Sequence, residues 1–341
     1  MKLVFHTNSA SPHQIPLARE IVRRINAENY RYIYTTQLTD ERRNMGWPVP
    51  LEPWIVCEAE FPQKCKEWLE DCDVLLSSLR DIDLFELRAG KGTKSLYMSE
   101  RWFKPPIGEL RMLVPSFRKM VKRFTRWANS CPDTCVLAIG PWAKKDFVSM
   151  GVNPSKIADW GYFVEPGLGS VKNKTSGNEV IRLLWCGRLI ALKHVADIIK
   201  AVRKLPNYNR VELTIVGDGP EKKRLLKLAE GLPVAFMKSQ SIEKVREIMR
   251  THDTLVLASN GFEGWGAVVN EALEEGMNVI GTYECGAPPS LLPKERLYHC
   301  GDIETLALLI SKDMKHELPE CSIGNWTAEH AAGKLLSWIE I

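Results

Sequence analysis

The chain has 341 residues, a formal net charge of +4, 45% hydrophobic residues and 26% charged residues. This composition is typical of a globular protein and excludes a fibrous or intrinsically disordered chain, and the length favours two domains. No apolar stretch of the sequence is long enough to span a bilayer, and residues 1–5 are too short a run for a signal peptide. With nine cysteines at scattered spacings, the sequence predicts reduced thiols and a cytoplasmic protein.

Residues 1–165 show the strand and helix alternation of a parallel-sheet domain. Apolar runs predict strands at 2–6, 30–35, 74–77, 95–98 and 135–139, and residues 156–163 are predicted to reach another edge of the sheet. Helical periodicity predicts helices at 15–25, around Trp68, at 114–127 and at 142–150. Ser9–Pro12 resembles the cap of the first helix, and residues 46–62 are predicted to be an irregular connection. Because no Gly-x-Gly-x-x-Gly follows the first strand, this domain is not predicted to bind a dinucleotide.

The second half of the chain predicts a second α/β domain. Residues 166–179 lose all periodicity and are rich in Gly, Ser, Lys and Asn, which predicts an interdomain linker. Strands are predicted at 180–186, 211–216, 234–237, 254–258 and 279–282, with helices at 195–204, 220–229, 242–251 and 267–275. This order predicts a doubly wound parallel sheet over residues 180–321, followed by a final helix within 322–341.

A glycine-rich turn at 261–266 lies between a predicted strand and a predicted helix. Backbone N–H groups at such a turn, together with the helix dipole, favour an anionic ligand. Glu263 lies in the turn and Glu271 in the helix. If one helix ran unbroken between them they would be roughly 12 Å apart, which suits the two ends of one long ligand better than a single bond.

Two cations follow the first strand of the second domain. Arg188 and Lys193 lie at a strand-to-helix turn, where Arg and Lys can hold a diphosphate. The alternative is that both are solvated surface charges. A second turn, Val216–Pro220, is interpreted mainly as backbone geometry, with a close approach of Gly217 to a ligand as the alternative.

Three motifs together carry a resemblance to a known family. Gly187-Arg188-Leu189 with Lys193, then Val216-Gly217-Asp218-Gly219-Pro220, then Glu263-Gly264-Trp265-Gly266 with Glu271, resemble the retaining glycosyltransferases of family 4 in order and spacing. The resemblance implies the GT-B fold, in which two Rossmann-like doubly wound parallel-sheet domains face a central cleft. It also implies relatives that build capsule, exopolysaccharide or O-antigen, and a final helix that packs back on the first domain.

The resemblance implies roles for particular residues. Glu263 would bind the hydroxyls of the donor sugar, Glu271 would bind the ribose, and Arg188 and Lys193 would neutralise the diphosphate. Further donor contacts would come from Gly187, Gly217, Phe262, the amides of Gly264, Trp265 and Gly266, and the backbone at Lys238 and Ser239.

The acceptor side departs from the family pattern. Where many members place a histidine, the strand at 95–98 leads to Ser99-Glu100-Arg101. Glu100 is a candidate catalytic residue and Arg101 a candidate acceptor contact, although the three residues could equally be a salt-bridged loop. His13 is the other acceptor-side candidate, with a structural histidine as its alternative.

Basic residues are concentrated in the segment Arg111–Arg126. Three interpretations remain open: a solvated helix face, a surface that contacts an anionic membrane, and a nucleic-acid site. The third is disfavoured because no recognition motif accompanies the charge.

The resemblance therefore implies a retaining hexosyltransferase that needs no cofactor, and the two cations beside the predicted diphosphate site predict that it is metal-independent. Its donor would be a nucleotide-diphosphate sugar, and its acceptor a glycan or polyprenyl-linked molecule in surface polysaccharide biosynthesis. The alternatives are a non-catalytic sugar-nucleotide-binding subunit and a GT-B sugar-nucleotide epimerase. On the membrane interpretation, the protein would lie on the inner face of the cell membrane.

Overall fold

A computed structural model describes residues 1–37, 52–132, 134–168 and 180–339. Their contacts divide them into two compact units. The first contains the described residues up to Val164 together with those from Asn325 onwards, and the second contains the described residues of Glu165–Gly324. Most of the predicted linker, residues 169–179, lies outside the described residues.

The described part of the first unit contains a seven-stranded parallel sheet with the order β3-β2-β1-β4-β5-β6-β7. Its strands are β1 (Leu3–Thr7), β2 (Tyr30–Tyr34), β3 (Ile55–Cys57), β4 (Val74–Ser77), β5 (Lys94–Ser99), β6 (Thr134–Ile139) and β7 (Ile157–Trp160). Its helices are α1 (Ile15–Ile25), α2 (Pro62–Asp71), α3 (Ile82–Gly90), α4 (Pro115–Ser130), α5 (Pro141–Ser149) and the chain-terminal α12 (Ala328–Ile339). Strands β2 and β3 are added on one side of β1, and β4 to β7 are added on the other side. The switch point of this sheet therefore lies between β1 and β4.

The chain-terminal helix α12 packs on the first unit. Leu335 and Leu336 are buried, and Trp338 lies 5.8 Å from the ring of Trp160 at the end of β7. Lys94 Nζ donates to the carbonyl of Ile339 at 3.0 Å. These contacts tie the end of the described chain to the edge of the sheet formed by β5 to β7.

A buried arginine holds together the amino-terminal edge of the first sheet. Arg88 is fully buried and donates to the carbonyls of Leu69, Cys72 and Lys94 at 2.9 to 3.0 Å, and to Ser95 Oγ at 3.1 Å. Burial lowers the pKa of the guanidinium. A buried charge is tolerated only when its hydrogen-bond donors have partners, so breaking any of these bonds would be costly. The bonds therefore fix α2, α3 and β5 to each other.

The described part of the second unit contains a six-stranded parallel sheet with the order β10-β9-β8-β11-β12-β13. Its strands are β8 (Ile181–Cys186), β9 (Val211–Val216), β10 (Val234–Met237), β11 (Thr254–Leu257), β12 (Asn278–Thr282) and β13 (Leu297–Tyr298). Its helices are α6 (Val195–Lys204), α7 (Lys222–Leu228), α8 (Ile242–Met249), α9 (Val268–Glu274), α10 (Ala287–Leu291) and α11 (Ile303–Met314). This is the doubly wound order 3-2-1-4-5-6, with its switch point between β8 and β11.

The two parallel sheets confirm the predicted fold class of two Rossmann-like units, but several local predictions were incomplete. The sequence analysis missed α3, α10, α11, β3 and β13. Ser9–Pro12 does not cap α1, which begins at Ile15 with Gln14 at the N-cap and no side-chain cap. Instead Ser11 Oγ accepts from the amide of His13 at 3.3 Å, so the predicted cap belongs to the turn that precedes the helix.

In the part of the chain that the structure describes, no helix is long and apolar enough to cross a membrane.

Candidate functional site

The second unit brings two distant motifs together at its switch point. Lys193 Nζ forms an ion pair with Glu263 Oε2, and both side chains are less than one fifth exposed. Lys193 follows β8 and Glu263 follows β11, and these strands are neighbours in the sheet. The pair therefore lies where the carboxyl ends of β8 and β11 diverge, which is the position where open α/β sheets bind ligands.

A polar network supports this ion pair. The amide of Asn260 donates to the carbonyl of Leu192 at 3.0 Å, and Asn260 Oδ1 accepts from the amide of Phe262 at 3.1 Å. Asn260 Nδ2 lies 3.4 Å from His194 Nε2, while His194 Nδ1 lies 2.9 Å from Asp197 Oδ2. The network fixes the turn after β11 to the turn after β8, and so holds Glu263 beside Lys193.

Glycines allow the loops at this edge to pack backbone against backbone. A Cβ on Gly217 would lie 1.9 Å from the carbonyl oxygen of Gly187, and a Cβ on Gly219 would lie 2.4 Å from the carbonyl oxygen of Leu189. Gly217 and Gly219 also have φ values of 152° and 155°, which L side chains rarely adopt. Gly217 is thus required for the approach of two protein loops, which agrees with interpreting Val216–Pro220 as backbone geometry.

The turn that contains Glu263 is anchored by a buried tryptophan. Trp265 is 1% exposed, and its Nε1 donates to Asn270 Oδ1 at 2.8 Å. A Cβ on Gly286 would lie 2.6 Å from the carbonyl oxygen of Gly264, and Gly266 has a φ of 92°. The indole belongs to the core, so only the backbone of Trp265 is available for the predicted contact with a sugar.

Glu271 lies on α9, which begins at Val268. Residues between Glu263 and Val268 are not helical, so the assumption of one unbroken helix between the carboxylates was wrong, and the 12 Å estimate does not apply. Burial raises the pKa of the Cys186 thiol at the end of β8, and the negative charge of Glu271 raises it further. Glu271 therefore acts electrostatically on the same strand end that precedes Arg188.

Arg188 and Phe262 are exposed at the same edge, and Phe262 is 47% exposed. Burial raises the pKa of the Cys285 thiol, and Glu263 raises it further. Both thiols near the ion pair are thus held protonated, which leaves the carboxylates and cations as the charged groups of the site.

The predicted base-binding backbone already has a partner within the protein. The amide of Ser239 donates to Asp218 Oδ2 at 3.0 Å, and Asp218 also forms an ion pair with Lys222. These two hydrogen bonds lower the pKa of Asp218. Lys238 is exposed beside them, and its carbonyl accepts from Gln240 Nε2 at 3.2 Å. A ligand that used the Ser239 amide would have to displace Asp218.

The first unit presents different groups at its own switch point. His6, near the end of β1, is buried, and its Nε2 lies 3.3 Å from Glu58 Oε2. Burial lowers the pKa of His6 despite the carboxylates of Glu58 and Asp81. Ser78 Oγ donates to Thr7 Oγ1 at 2.9 Å. This edge therefore offers hydroxyl, imidazole and carboxylate groups.

The acceptor-side candidates Glu100 and His13 are joined by a tyrosine. Tyr162 donates its hydroxyl to Glu100 Oε1 at 3.1 Å, and its ring stacks on His13 with centroids 6.4 Å apart. Lys104 Nζ binds Glu100 Oε2 at 2.9 Å. The side chain of Arg101 is engaged elsewhere. Its guanidinium lies 3.7 Å from Asp146 Oδ1 and over the ring of Trp142.

The basic segment divides into engaged and exposed cations. Arg111 donates to the carbonyl of Trp102 at 3.0 Å and stacks on Phe117, and Arg123 binds Asp83 and Glu86. The exposed cations of α4 are Arg118, Lys119, Lys122 and Arg126.

Several groups at the two edges were missed by the sequence analysis: His6, Glu58, His194, Asp197 and Asn260. The available signal was positional, because His6 and Asn260 are polar residues close to the ends of apolar strands. Among the residues that the structure describes, no group of His, Cys, Asp and Glu side chains is arranged to hold a metal ion.

Residues 171–322, which include the whole of this edge, match the family model for glycosyl transferases group 1. This segment is therefore similar to the glycosyl transferases of group 1. The match confirms the resemblance predicted from the three motifs, and the assignment to family 4 is consistent with it.

One relative and two solved structures are also similar to this chain. The sulfoquinovosyl transferase SQD2 of Arabidopsis thaliana is 29% identical over 122 residues, which are 34% of this chain and only 23% of that protein. A lipopolysaccharide outer core galactosyltransferase, WaaB, in its apo form has a TM-score of 0.71 at 16% identity, with 99% of both chains covered. The Anabaena protein HepE in complex with UDP has a TM-score of 0.68 at 15% identity, with 99% of this chain and 97% of that chain covered. Because the sequence identities are so low, these two similarities establish the GT-B fold and nothing more specific.

Proposed function

We propose that this protein is a retaining glycosyltransferase that moves a hexose-type sugar from a nucleotide-diphosphate sugar to a glycan or lipid-linked acceptor in surface polysaccharide biosynthesis. The observation that carries the proposal is the ion pair between Lys193 and Glu263 at the switch point of the second unit. A cation for a phosphate and a carboxylate for sugar hydroxyls must be adjacent to bind a nucleotide sugar, since its phosphate is bonded directly to its sugar.

The donor is proposed to bind the second unit. Lys193 and Arg188 would contact the diphosphate, Glu263 would accept hydrogen bonds from sugar hydroxyls, and Glu271 would bind the ribose. Glu263 neutralises Lys193 in the structure, so a donor diphosphate that contacts this ammonium would share it with a carboxylate or replace the carboxylate as its partner. The ion pair keeps both side chains in position before the donor arrives, which reduces the entropy lost on binding.

The chemical step follows from this placement of charge. As the bond between the anomeric carbon and the diphosphate oxygen breaks, negative charge develops on the leaving diphosphate and positive charge on the sugar ring. The oxygen of an acceptor hydroxyl forms the new bond to the anomeric carbon, with retained configuration, and the proton of that hydroxyl leaves with the diphosphate. Arg188 and Lys193 stabilise the negative charge and Glu263 the positive charge, which is electrostatic catalysis by preorganised groups. The acceptor is proposed to bind the first unit, where the cluster of Glu100, Tyr162 and His13 offers a carboxylate, a phenol and an imidazole.

A thermal-shift screen against UDP, GDP, ADP and their sugars tests the donor proposal. A nucleotide at 100 times its dissociation constant stabilises the native state by about 2.7 kcal/mol, so one nucleotide should raise the melting temperature clearly. Release of that nucleoside diphosphate in the presence of acceptor, with the product anomer assigned by NMR, then tests transfer and retention. Binding without release would favour the non-catalytic subunit, and no binding by any nucleotide would contradict the donor proposal.

The same assay tests metal independence. Because two protein cations, Arg188 and Lys193, are proposed to contact the diphosphate, we expect full activity in excess EDTA. Activity that is lost in EDTA and restored by magnesium or manganese would show that a divalent ion contributes to the reaction.

A further inference from the structure

His194 has a backbone conformation that residues with a side chain rarely adopt. It lies between a 3-10 turn, Ala191–Lys193, and α6, and its φ of 49° and ψ of 33° are those of the left-handed region. This conformation is unfavourable for a residue with a Cβ, whereas glycine adopts it freely. A histidine at a position that suits glycine indicates that its side chain has a role there.

The capping of α6 does not supply that role. An N-cap residue normally has an extended backbone and accepts a hydrogen bond from the helix through a short polar side chain. His194 is the N-cap of α6 and its side chain makes no such bond. His316 provides the contrast, because its φ of 57° occurs just after α11, where a left-handed residue is a common way to end a helix.

The imidazole of His194 is held at both of its nitrogen atoms. Nδ1 lies 2.9 Å from Asp197 Oδ2, and Nε2 lies 3.4 Å from Asn260 Nδ2. Because a carboxylate can only accept, Nδ1 donates to Asp197. Asn260 Oδ1 accepts from the amide of Phe262, so Nδ2 of the same side chain donates to the imidazole Nε2. One tautomer of the ring therefore satisfies both contacts.

The ring supports the turn that carries Glu263. Asn260 begins this turn, and its carbonyl accepts from the amide of Glu263 at 3.0 Å. The Asn260 side chain lies between the His194 ring and the amide of Phe262. Lys193, the ion-pair partner of Glu263, directly precedes His194. The imidazole thus connects the chain beside Lys193 to the turn beside Glu263.

We propose that His194 is a positioning residue for sugar transfer, whose ring acts through Asn260 to hold Glu263 where it meets the donor. Glycine would relieve the backbone at this junction but would leave the Asn260 side chain without its imidazole partner. The inference rests on the proposed transfer reaction, because Glu263 is assigned to the donor by that reaction.

Two substitutions separate positioning from stability. His194→Gly removes the ring and relieves the backbone, whereas His194→Ala removes the ring and keeps the unfavourable conformation. Both should lower kcat for release of nucleoside diphosphate about tenfold, because a displaced catalytic group loses much of its effect. The melting temperature should be lower for His194→Ala than for His194→Gly. Equal losses of kcat at unequal stability are what a positioning role requires.

His316 is the matched control, because it is an exposed histidine with a left-handed backbone. His316→Ala should again have a lower melting temperature than His316→Gly. Neither variant should change kcat, since this residue follows α11 and belongs to neither turn of the ion pair.

A double-mutant cycle tests whether His194 acts through Asn260. Asn260→Ala alone should lower kcat, because it removes the acceptor of the Phe262 amide as well as the partner of the imidazole. In the Asn260→Ala chain, His194→Gly should lower kcat further by less than about twofold, because the connection is already broken. Full additivity of the two losses would contradict the proposed connection.

The connection can also be measured without substrate, by nitrogen NMR of histidine-labelled protein in mildly alkaline buffer. The His194 signals, assigned by their absence in His194→Gly, should show the proton on Nδ1, and Asn260→Ala should shift the Nε2 signal. An Nε2 signal that Asn260→Ala leaves unchanged would overturn the inference. So would an unchanged kcat in His194→Gly, or a kcat that falls in step with the melting temperature in His194→Gly and His194→Ala.

Failure of the proposed function gives a different result. An unmodified chain that releases no nucleoside diphosphate would contradict the transfer reaction and with it the role of His194 in that reaction. The Nε2 signal would then decide whether His194 positions the turn of Glu263 for any other ligand of this edge.

Discussion

The two switch points have the same topology but present different side chains. In the first unit, the edge between β1 and β4 presents His6, Glu58 and the hydroxyls of Thr7 and Ser78. In the second, the edge between β8 and β11 presents an ammonium, Lys193, in contact with a carboxylate, Glu263. Topology fixes where a ligand can bind, and the residues that follow each strand decide which ligand chemistry is favoured there.

The largest effect, a loss of kcat, is expected from Glu263→Gln at the second edge. The substitution preserves shape but removes the charge proposed to stabilise the developing positive sugar. We expect kcat to fall by about 100- to 1000-fold, the range found when one preorganised electrostatic group is lost. Glu243→Gln, on the exposed surface of α8, is the control and should leave kcat unchanged. Steady-state release of nucleoside diphosphate measures both, and an unchanged kcat for Glu263→Gln would assign Glu263 to structure alone.

A smaller effect is expected from Lys193→Met. Loss of one charge-assisted contact to phosphate should weaken the affinity for the nucleoside diphosphate by about 10- to 100-fold. Lys204→Met, which removes only a surface ion pair with Glu304, should have no effect on that affinity. Isothermal titration of the identified nucleotide makes the measurement. If Lys193→Met and the unmodified chain bound the nucleoside diphosphate with equal affinity, Lys193 would not contact the phosphates, and the proposed role of the second edge in binding the donor would be wrong.

The packing of the loops at the second edge predicts a loss of stability for Gly217→Ala. The added methyl group would collide with the carbonyl of Gly187, and the free energy of unfolding should fall by roughly 1 to 3 kcal/mol. Gly333→Ala is the matched control, because a Cβ added there in α12 would meet no neighbouring atom within 4 Å, and helix propensity should make it neutral or slightly stabilising. Urea unfolding measures the difference, and equal stability of the two variants would show that the loops at this edge can move apart.

The smallest effect is expected at the first edge, in the pH dependence of stability. Burial lowers the pKa of His6 in the native state, so the unfolded chain binds the proton more readily. The contribution of His6 is therefore fully present above its ordinary pKa of about 6.5 and is lost as the pH falls below that value towards the native pKa. The melting temperature should decrease less steeply on acidification for His6→Asn than for the unmodified chain. A steeper decrease for His6→Asn would show that protonation of His6 stabilises the native state.

The sequence analysis succeeded where pattern and packing agree. Helix α6 has the predicted bounds, Val195–Lys204, because one of its faces is apolar and the other is polar. Helix α3 was missed because its buried positions include Arg88 beside Ile82 and Phe85, and a charge at a core position hides the helical period. Helix α11 was missed for a related reason, since it is apolar on much of its surface.

The candidate site was only partly predictable for a different reason. Turn glycines and charged residues after strands are visible in the sequence, and they led to Arg188, Lys193 and Glu263. Lys193 and Glu263 are separated by 70 positions, and their contact results from strand order, which no local pattern encodes. The same holds for His6 and Glu58, which are 52 positions apart. The functional roles of these residues remain predictions for the experiments above.

Arg88 has a consequence for the order in which the chain folds. Its hydrogen-bond partners all lie within 19 positions along the sequence. The loop-closure entropy that must be spent to assemble this centre is therefore small, whereas β1 can pair with β4 only across about 70 residues. We expect the segment from α2 to β5 to be the first part of the sheet to gain native contacts during refolding, with β1 added later.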